Sequence, residues 1–443
     1  MTGATFTVNV LIAVSFFNGL QMSIYYATLW PFITTIDPTV TVVFFGYITS
    51  AFSVGQCISS VLLGFWLDYS KSVRAPLIFG LLLLVLANII FCVAEFLPPY
   101  ARWILFTSRL FLGFGSGVRA ILRAVIPSVS TNDGIAKVIA MVQGAYSLGA
   151  AIGPLLQFGF ILLGSPRLEN PLRIDMYNIG ALMMLVINML LLIPVFMIRN
   201  DYSREKRSSE SDSIDSNDET KVDYLNVGMC IFTVFMAQLI AANIDSTLSA
   251  YSELMWHWTK EENAKYTGYF HSVHGFVQIL AFVLFSTKLD HLFIGYRSIF
   301  GAAFAMFLGI VYYLLTFPVP FLGESLDCTR YTWCTDTPAV NLWLYFFAFT
   351  VVLAICYPII TVTTNVIFNE SVGDRPQGTL QGISLSLSNT AKVVGPLILT
   401  ELFTHWGPRS VNLFMIMLLV SCMGYWLFSY IRKSRRICDN NKC

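Results

Sequence analysis

Charged residues are scarce in this chain of 443 residues. Asp, Glu, Lys and Arg together make up 12% of it, whereas about a quarter is usual for a soluble domain. Apolar residues make up 56%. This composition excludes an ordinary soluble protein and indicates a protein that crosses the lipid bilayer many times. The net charge of +1 shows no basic excess, which argues against nucleic acid as a partner.

The sequence also lacks the motifs that enzymes and cofactor-binding proteins use. No nucleotide-binding glycine loop, metal-ligand cluster or pair of nucleophile and base stands out, so we expect no enzyme, no cofactor and no metal. We expect no cleavable signal peptide either, because the first apolar run, about 6–32, is too long and has no basic residue ahead of it. This run predicts the first membrane span.

Long apolar runs are abundant. At about 20 residues per crossing, the sequence predicts an all-α protein with twelve spans in two six-helix bundles. The predicted spans are 6–32, 42–66, 76–96, 102–126, 137–163, 176–198, 224–250, 267–286, 298–317, 338–366, 378–402 and 409–431. Most loop Lys and Arg then lie on the side of both termini, which predicts that the termini are cytosolic.

The chain divides at its longest polar stretch. The predicted domains are an N-terminal bundle (1–198), a serine-rich, disordered cytosolic linker (199–223), a C-terminal bundle (224–431) and a basic cytosolic tail (432–443). Gly153-Pro154 in the fifth span recurs as Gly395-Pro396 in the eleventh. Such parallel repeats are typical of transporters built from two bundles, and these residues are candidates for helix packing.

Three arginines lie inside the fourth span. Arg119 and Arg123 are one helical turn apart, and Arg109 falls near the same face of a continuous helix. A charge at the bilayer centre costs at least ~2.5–3.5 kcal/mol, so we expect the three to face a water-filled cavity that binds an anion. Any one of them could instead reach the membrane interface or form a structural ion pair. In the same helix, Gly113 and Gly117 have the spacing that lets another helix approach closely.

Lys392 in the eleventh span carries the same cost. It could add to the cationic cavity, or it could pair with Asp245 or Glu95 from another helix. Asp245 and Glu401 are candidates for proton coupling, because desolvation raises the pKa of a carboxyl. Either carboxyl could instead be solvated near the surface.

Uncharged candidates complete the predicted site. Asn18 and Gln143 could donate hydrogen bonds to a solute, or they could link helices. Cys328 and Cys334 share one polar loop on the non-cytosolic side, where a disulfide can form.

Three motifs resemble signatures of the major facilitator superfamily. Residues 64–74 (GFWLDYSKSVR) are similar to its loop between helices two and three. The spacing Arg109-x-x-x-Gly113-x-Gly115-x-Gly117 is similar to its helix-four motif, and Gly149-x-x-x-Gly153-Pro154 to its helix-five motif. The resemblance implies alternating access between two six-helix halves. It also implies that Asp68–Arg74 and the matching pair Asp290–Arg297 gate the cytosolic face.

Further stretches resemble a lysosomal subfamily of that superfamily. They are residues 29–39, 44–56, 327–334, 376–382 and 404–409. The resemblance implies a late-endosomal or lysosomal membrane and a small exported solute or anion. Arg109, Arg123 and Lys392 have basic counterparts in that subfamily.

These patterns predict a monomeric transporter of a small anionic or zwitterionic solute, with possible proton coupling. An anion (chloride) channel would share the cationic pathway. A non-transporting membrane sensor or scaffold would keep the fold alone.

Overall fold

The computed structural model describes residues 3–25, 29–40, 42–130, 134–160, 176–198, 222–258, 260–289, 296–319, 333–334, 337–373 and 375–440. Helices dominate these residues. In the first part of the chain they are α1 (Gly3–Ser23), α2 (Leu29–Ile36), α3 (Val42–Ser70), α4 (Arg74–Val93), α5 (Ala101–Ser116), α6 (Val118–Val129), α7 (Ile135–Phe160) and α8 (Ile179–Met197). The remaining helices are α9 (Tyr224–Trp256), α10 (Lys260–Leu284), α11 (Tyr296–Leu315), α12 (Leu342–Phe347), α13 (Ala354–Val372) and α14 (Gly378–Asn440).

Eleven helical segments of the described chain are long and apolar enough to cross a membrane. Two of them join shorter helices: Pro98–Val129 contains α5 and α6, and Leu342–Val372 contains α12 and α13. The predicted span 378–402 is helical as well, as the first part of α14. Its serines, asparagine and lysine make it too polar to stand out by hydropathy. The predicted all-α, polytopic architecture is thus confirmed.

Helix α14 is two helices joined at a break. Gly407 has φ 75° and ψ 179°, which no helical residue adopts. A positive φ is favoured only for glycine, so this residue type is required at the break. The predicted spans 378–402 and 409–431 lie on its two sides.

The chain forms two compact units. The first contains Met1–Val222 and Gly373–Asn389, and the second contains Asp223–Val372 and Thr390–Cys443. The beginning of α14 therefore packs within the first unit, although the sequence places it in the C-terminal bundle. Most of the predicted linker (199–223) lies outside the described residues, and the domain boundaries stay a prediction.

Glycines let the helices of the first unit approach backbone to backbone. A Cβ atom added to Gly149 on α7 would lie 2.0 Å from the carbonyl oxygen of Phe16 on α1. On α5, a Cβ at Gly113 would lie 2.1 Å from the carbonyl oxygen of Phe52 on α3. Neither pair of helices could keep this distance with any other residue type at these positions.

The other predicted packing residues differ in how tightly they are held. A Cβ at Gly117 or at Gly153 would meet a serine hydroxyl at 2.2 Å or 2.0 Å. A Cβ at Gly395, in the second unit, would lie 3.0 Å from Leu239. The Gly-Pro repeat of the two halves is therefore packed more closely in the first unit than in the second.

An ion pair ties the loop after α2 to the start of α5. Arg102 Nε donates to Asp37 Oδ2 at 2.7 Å, and Thr39 Oγ1 donates to Asp37 Oδ1 at 2.6 Å. Burial raises the pKa of the Asp37 carboxyl, but the hydrogen bonds from Thr39 and Arg102 outweigh it, so this pKa lies below its usual value. Asp37 is therefore ionised at neutral and mildly acidic pH.

Candidate functional site

Arg119 is buried on α6 and contacts an aromatic ring. Its guanidinium carbon lies 4.0 Å from the centre of the Tyr146 ring on α7, and 7% of the residue is exposed. Among the described residues, no carboxylate lies within ion-pair distance of it. A cation–π contact stabilises a desolvated guanidinium but does not neutralise its charge. Arg119 therefore brings a positive charge into the interior of the first unit.

Arg123 lies one turn further along α6 and, like Arg119, contacts α7. Its Nη2 donates to Gln143 Oε1 at 3.3 Å. Gln143 precedes Tyr146 by almost one turn of α7, so both arginines of α6 face one stripe of α7. The structure thus brings together Arg119, Arg123 and Gln143, three of the predicted binding residues.

Two buried side-chain amides beside this stripe of α7 have N–H groups that make no hydrogen bond to the described residues. Gln143 Nε2 and Asn18 Nδ2 are buried and have no acceptor among the described residues. Asn18 belongs to α1, which packs on α7 where Ser15 Oγ donates to the Val142 carbonyl at 2.7 Å. Two guanidinium groups and two amides therefore provide an excess of donors on the facing surfaces of α1, α6 and α7.

Arg109 has a different environment. Its guanidinium carbon lies 4.5 Å from the centre of the Tyr25 ring, and the Tyr25 hydroxyl donates to Asn88 Oδ1. Asn88 Nδ2 in turn donates to Gln21 Oε1 at 3.0 Å, and Asn188 Nδ2 donates to the same oxygen at 2.9 Å. Arg109 thus stands beside an amide network that links α1, α4 and α8.

Distance along the fourth span accounts for the different neighbours of Arg109 and Arg119, because positions ten residues apart on a helix are separated by about 15 Å. The predicted shared face assumed one continuous helix over 102–126. The structure ends α5 at Ser116 and begins α6 at Val118, with Gly117 between them at φ −61° and ψ −13°. These angles lie in the right-handed helical region, so α5 and α6 follow one another within the single span Pro98–Val129.

Lys392 lies in the second unit, on α14, and is half-buried. The arginines belong to the first unit. Each unit thus contributes its own predicted cation.

Asp68 at the end of α3 caps the start of α14. Its carboxylate accepts hydrogen bonds from the Gly378 amide at 2.8 Å and from the Thr379 amide and hydroxyl, each at 2.6 Å. The first amides of a helix lack acceptors within the helix and form the positive end of its dipole, so a carboxylate is stabilised there.

This arrangement differs from the predicted Asp68–Arg74 pair. Asp68 engages α14, whereas Arg74 Nε donates to the carbonyl oxygen of Ile198. In the corresponding predicted pair, Arg297 is exposed and Asp290 lies outside the described residues.

Two glycine contacts hold α3 and α14 together around Asp68. A Cβ at Gly64 would lie 2.1 Å from the Gly378 carbonyl oxygen, and a Cβ at Gly382 would lie 2.3 Å from the Ser60 carbonyl oxygen. The sequence contained a signal for this contact, since 64–68 and 376–382 both belong to motifs, but nothing in it paired them.

The remaining predicted residues fall outside these clusters. Glu401 is exposed and accepts from His405 Nε2 at 2.9 Å, one turn away on α14. The side chain of Asp245 lies outside the described part of the chain. Cys334 is buried and disulfide-bonded, and Cys328 is not among the described residues. Cys230, Cys356 and Cys422 within the spans are thiols.

Comparison with known proteins decides the family. The sequence profile of the Major Facilitator Superfamily matches residues 11–327, which is more than half of the chain. The chain belongs to this superfamily. It is therefore a multi-pass membrane protein of a family of transporters, as the motifs of the loop after the second span and of the fourth and fifth spans predicted.

One curated relative matches over most of both sequences. Major facilitator superfamily domain-containing protein 8 of Xenopus laevis is 22% identical, with 91% of this chain and 86% of the relative covered. The predicted likeness to a subfamily of the superfamily is thereby confirmed.

Solved structures share the fold. The human organic anion transporter MFSD10 (TETRAN) superposes with a TM-score of 0.66 at 15% identity, covering 96% of this chain and all of that one. The proton:xylose symporter XylE gives a TM-score of 0.67 at 12% identity, covering 95% and 94%. These likenesses confirm the twelve-helix facilitator fold.

Proposed function

We propose that this protein transports a small anionic or zwitterionic solute across an endolysosomal membrane by alternating access. The observation that carries the proposal is Arg119. It is a buried cation in a membrane-spanning segment, and among the described residues its contact is an aromatic ring rather than a carboxylate. Intramembrane cations are costly, and they are retained where they serve a substrate or ion pathway.

The neighbours of Arg119 suit an oxyanion. Arg and amide N–H groups only donate, and a carboxylate only accepts, through roughly four lone-pair directions. Gln143 Nε2 and Asn18 Nδ2 are buried donors without a described acceptor. A solute carboxylate would satisfy these donors and balance the charge of Arg119 at once. A neutral solute would satisfy the donors but leave the positive charge of Arg119 unbalanced.

Other residues take supporting roles in this proposal. Arg109, Arg123 and Lys392 would contribute further positive charge that favours an anionic solute. Asp68 and its contacts on α14 would hold one conformation of the cytosolic face, together with Arg74, Asp290 and Arg297. Asp245 and Glu401 would couple transport to protons.

Two kinds of likeness support the solute and the membrane. One structural neighbour, human MFSD10, is an organic anion transporter. The endolysosomal location rests on the sequence resemblance to a lysosomal subfamily.

Flux through purified protein in liposomes tests the proposal. We expect uptake of one or more members of a panel of radiolabelled mono- and dicarboxylates, with Arg119→Gln reducing uptake at least tenfold. Arg119→Lys should retain part of the activity, since it keeps the charge but loses the planar contact with Tyr146. Tyr146→Phe is the matched control, because it keeps the ring and should keep the flux.

Three outcomes would contradict the proposal. Equal carboxylate uptake by wild type and Arg119→Gln would remove the assigned role of Arg119. Anion currents in planar bilayers far above carrier turnover would indicate a channel. Absence of flux for every charged solute in a folded protein would indicate a sensor or scaffold.

A further inference from the structure

A small polar cavity lies entirely within the second unit. Its volume is about 30 Å³, and one water molecule needs about 10–15 Å³ by this measure, so roughly two would fit. The polar side chains that line it come from α9, α11, α12 and α14 and include Asn243, Tyr251, Tyr312, Tyr313, Tyr345 and Asn412. No charged side chain is among its described lining residues.

Tyr251 brings an unsatisfied hydroxyl to this cavity. The residue is 7% exposed, and its Oη is buried without a hydrogen-bond partner in the described chain. The ring stacks on Tyr345, with centroids 5.4 Å apart and planes at 27°. This stacking fixes the direction of the hydroxyl. A buried hydroxyl without a partner is costly, so a partner is expected in the cavity that it lines.

The neighbouring polar groups are held in place by hydrogen bonds among the residues that line the cavity. Asn243 Nδ2 donates to Tyr313 Oη at 3.1 Å, which leaves the Tyr313 hydroxyl hydrogen as a donor. Asn412 Nδ2 donates to the Thr316 carbonyl at 3.2 Å and to the Tyr313 carbonyl at 3.5 Å. Tyr251 and Tyr313 thus offer two fixed hydroxyls, each able to donate and one also able to accept.

We propose that this cavity binds a neutral hydroxyl group, supplied by water or by a polyol. A hydroxyl both donates and accepts, so it can satisfy Tyr251 and Tyr313 together. An anion would find no positive group in the described lining. A cation would find no carboxylate there, and the stacked faces of Tyr251 and Tyr345 leave no open aromatic cage. An apolar guest would leave the Tyr251 hydroxyl unpaired. The site is independent of the proposed anion transport.

Tyrosine-to-phenylalanine variants of the full-length protein test whether the hydroxyl has a partner. If it does, Tyr251→Phe should lower the thermal midpoint in detergent by about 2 °C. Tyr425→Phe shows how far the midpoint falls when one known tyrosine hydrogen bond is lost, because Tyr425 Oη donates to Asn226 Oδ1 at 2.7 Å. Tyr69→Phe should leave the midpoint unchanged, because Tyr69 is 81% exposed and its hydroxyl is solvated. An unchanged or raised midpoint for Tyr251→Phe would mean a dry void and would overturn the proposal.

Titration with ethylene glycol, the smallest polyol, separates the two sources of the hydroxyl, since the cavity has room for only about two water molecules. A saturable rise in the midpoint of the wild type that Tyr251→Phe lacks would identify a polyol. An equal response of both proteins, together with the lower midpoint of Tyr251→Phe, would identify water. If Tyr251→Phe fails to fold, an experimental density map of the wild-type protein decides whether the cavity is occupied. A peak within hydrogen-bond distance of Tyr251 Oη supports the site, and an empty cavity overturns it.

Discussion

Removing the carboxylate of Asp68 should open the start of α14. The amides of Gly378 and Thr379 belong to the first turn, so no carbonyl of α14 itself can accept from them. Asp68 accepts from both and from the Thr379 hydroxyl, at 2.6–2.8 Å. These two amides are therefore protected from solvent by a residue that is 310 and 311 positions away in the chain.

The expected magnitude follows from these contacts. Loss of a helix N-cap costs about 1 kcal/mol and up to about 2. Asp68 is half-buried and its bonds are charge-assisted, so we expect Asp68→Ala to cost about 1–2 kcal/mol. This corresponds to a factor of about 5–30 in the local opening equilibrium. Asp68→Asn should fall in between, because the amide oxygen still accepts while the charge is lost.

Hydrogen–deuterium exchange with mass spectrometry measures this opening. A peptide that contains residues 377–383 should exchange about 5–30 times faster in Asp68→Ala than in the wild type. Tyr69→Ala is the matched control, since Tyr69 is adjacent and exposed. If the peptide exchanged at the wild-type rate in Asp68→Ala, the capping role would be refuted.

Three further substitutions have defined outcomes. Gly149→Ala should lower the thermal midpoint, at a cost of about 1–3 kcal/mol, because the new Cβ would lie 2.0 Å from a carbonyl oxygen of α1; Gly46→Ala, with no atom within 4 Å, should not lower it. Asp37→Asn should destabilise the protein near neutral pH. The folded-state pKa of Asp37 is depressed, so the ionised carboxyl stabilises the folded protein above the unfolded-state pKa of about 3.9. This stabilisation is lost as the pH falls through the folded-state pKa. The prediction would be contradicted if wild type and Asp37→Asn were already equally stable at pH 6. Gly407→Ala should cost about 1 kcal/mol or more, since φ is 75° and the Cβ would lie 2.7 Å from Trp333; an unchanged midpoint would argue against the break.

The sequence predicts the spans well because membrane helices are selected by length and apolarity, both of which are local properties. The segment 378–402 is the instructive case. Its polar residues lower its hydropathy, but at about 20 residues per crossing the sequence still predicts it as the eleventh span. Arg119 could likewise be singled out, because the desolvation cost of a charge inside the bilayer can be assigned before its partner is known.

Partners were harder to predict than positions. The family resemblance implied Arg74 as the partner of Asp68, whereas in the structure Asp68 accepts from the first turn of α14. Tyr146 was missed as the partner of Arg119, since the pairing of α6 with α7 is a tertiary property. Tyr25 was likewise missed as the neighbour of Arg109, for the same reason.

The meeting of α3 with the first turns of α14 sets a limit on how this protein can vary. At positions 64, 378 and 382 the nearest foreign atoms of the opposite helix are main-chain oxygens, 2.1–2.3 Å from where a methyl group would stand. Main-chain oxygens are present whatever residue carries them, so no second substitution across the contact can make room. Only glycine is therefore tolerated at these three positions, whatever other substitutions the two helices accumulate.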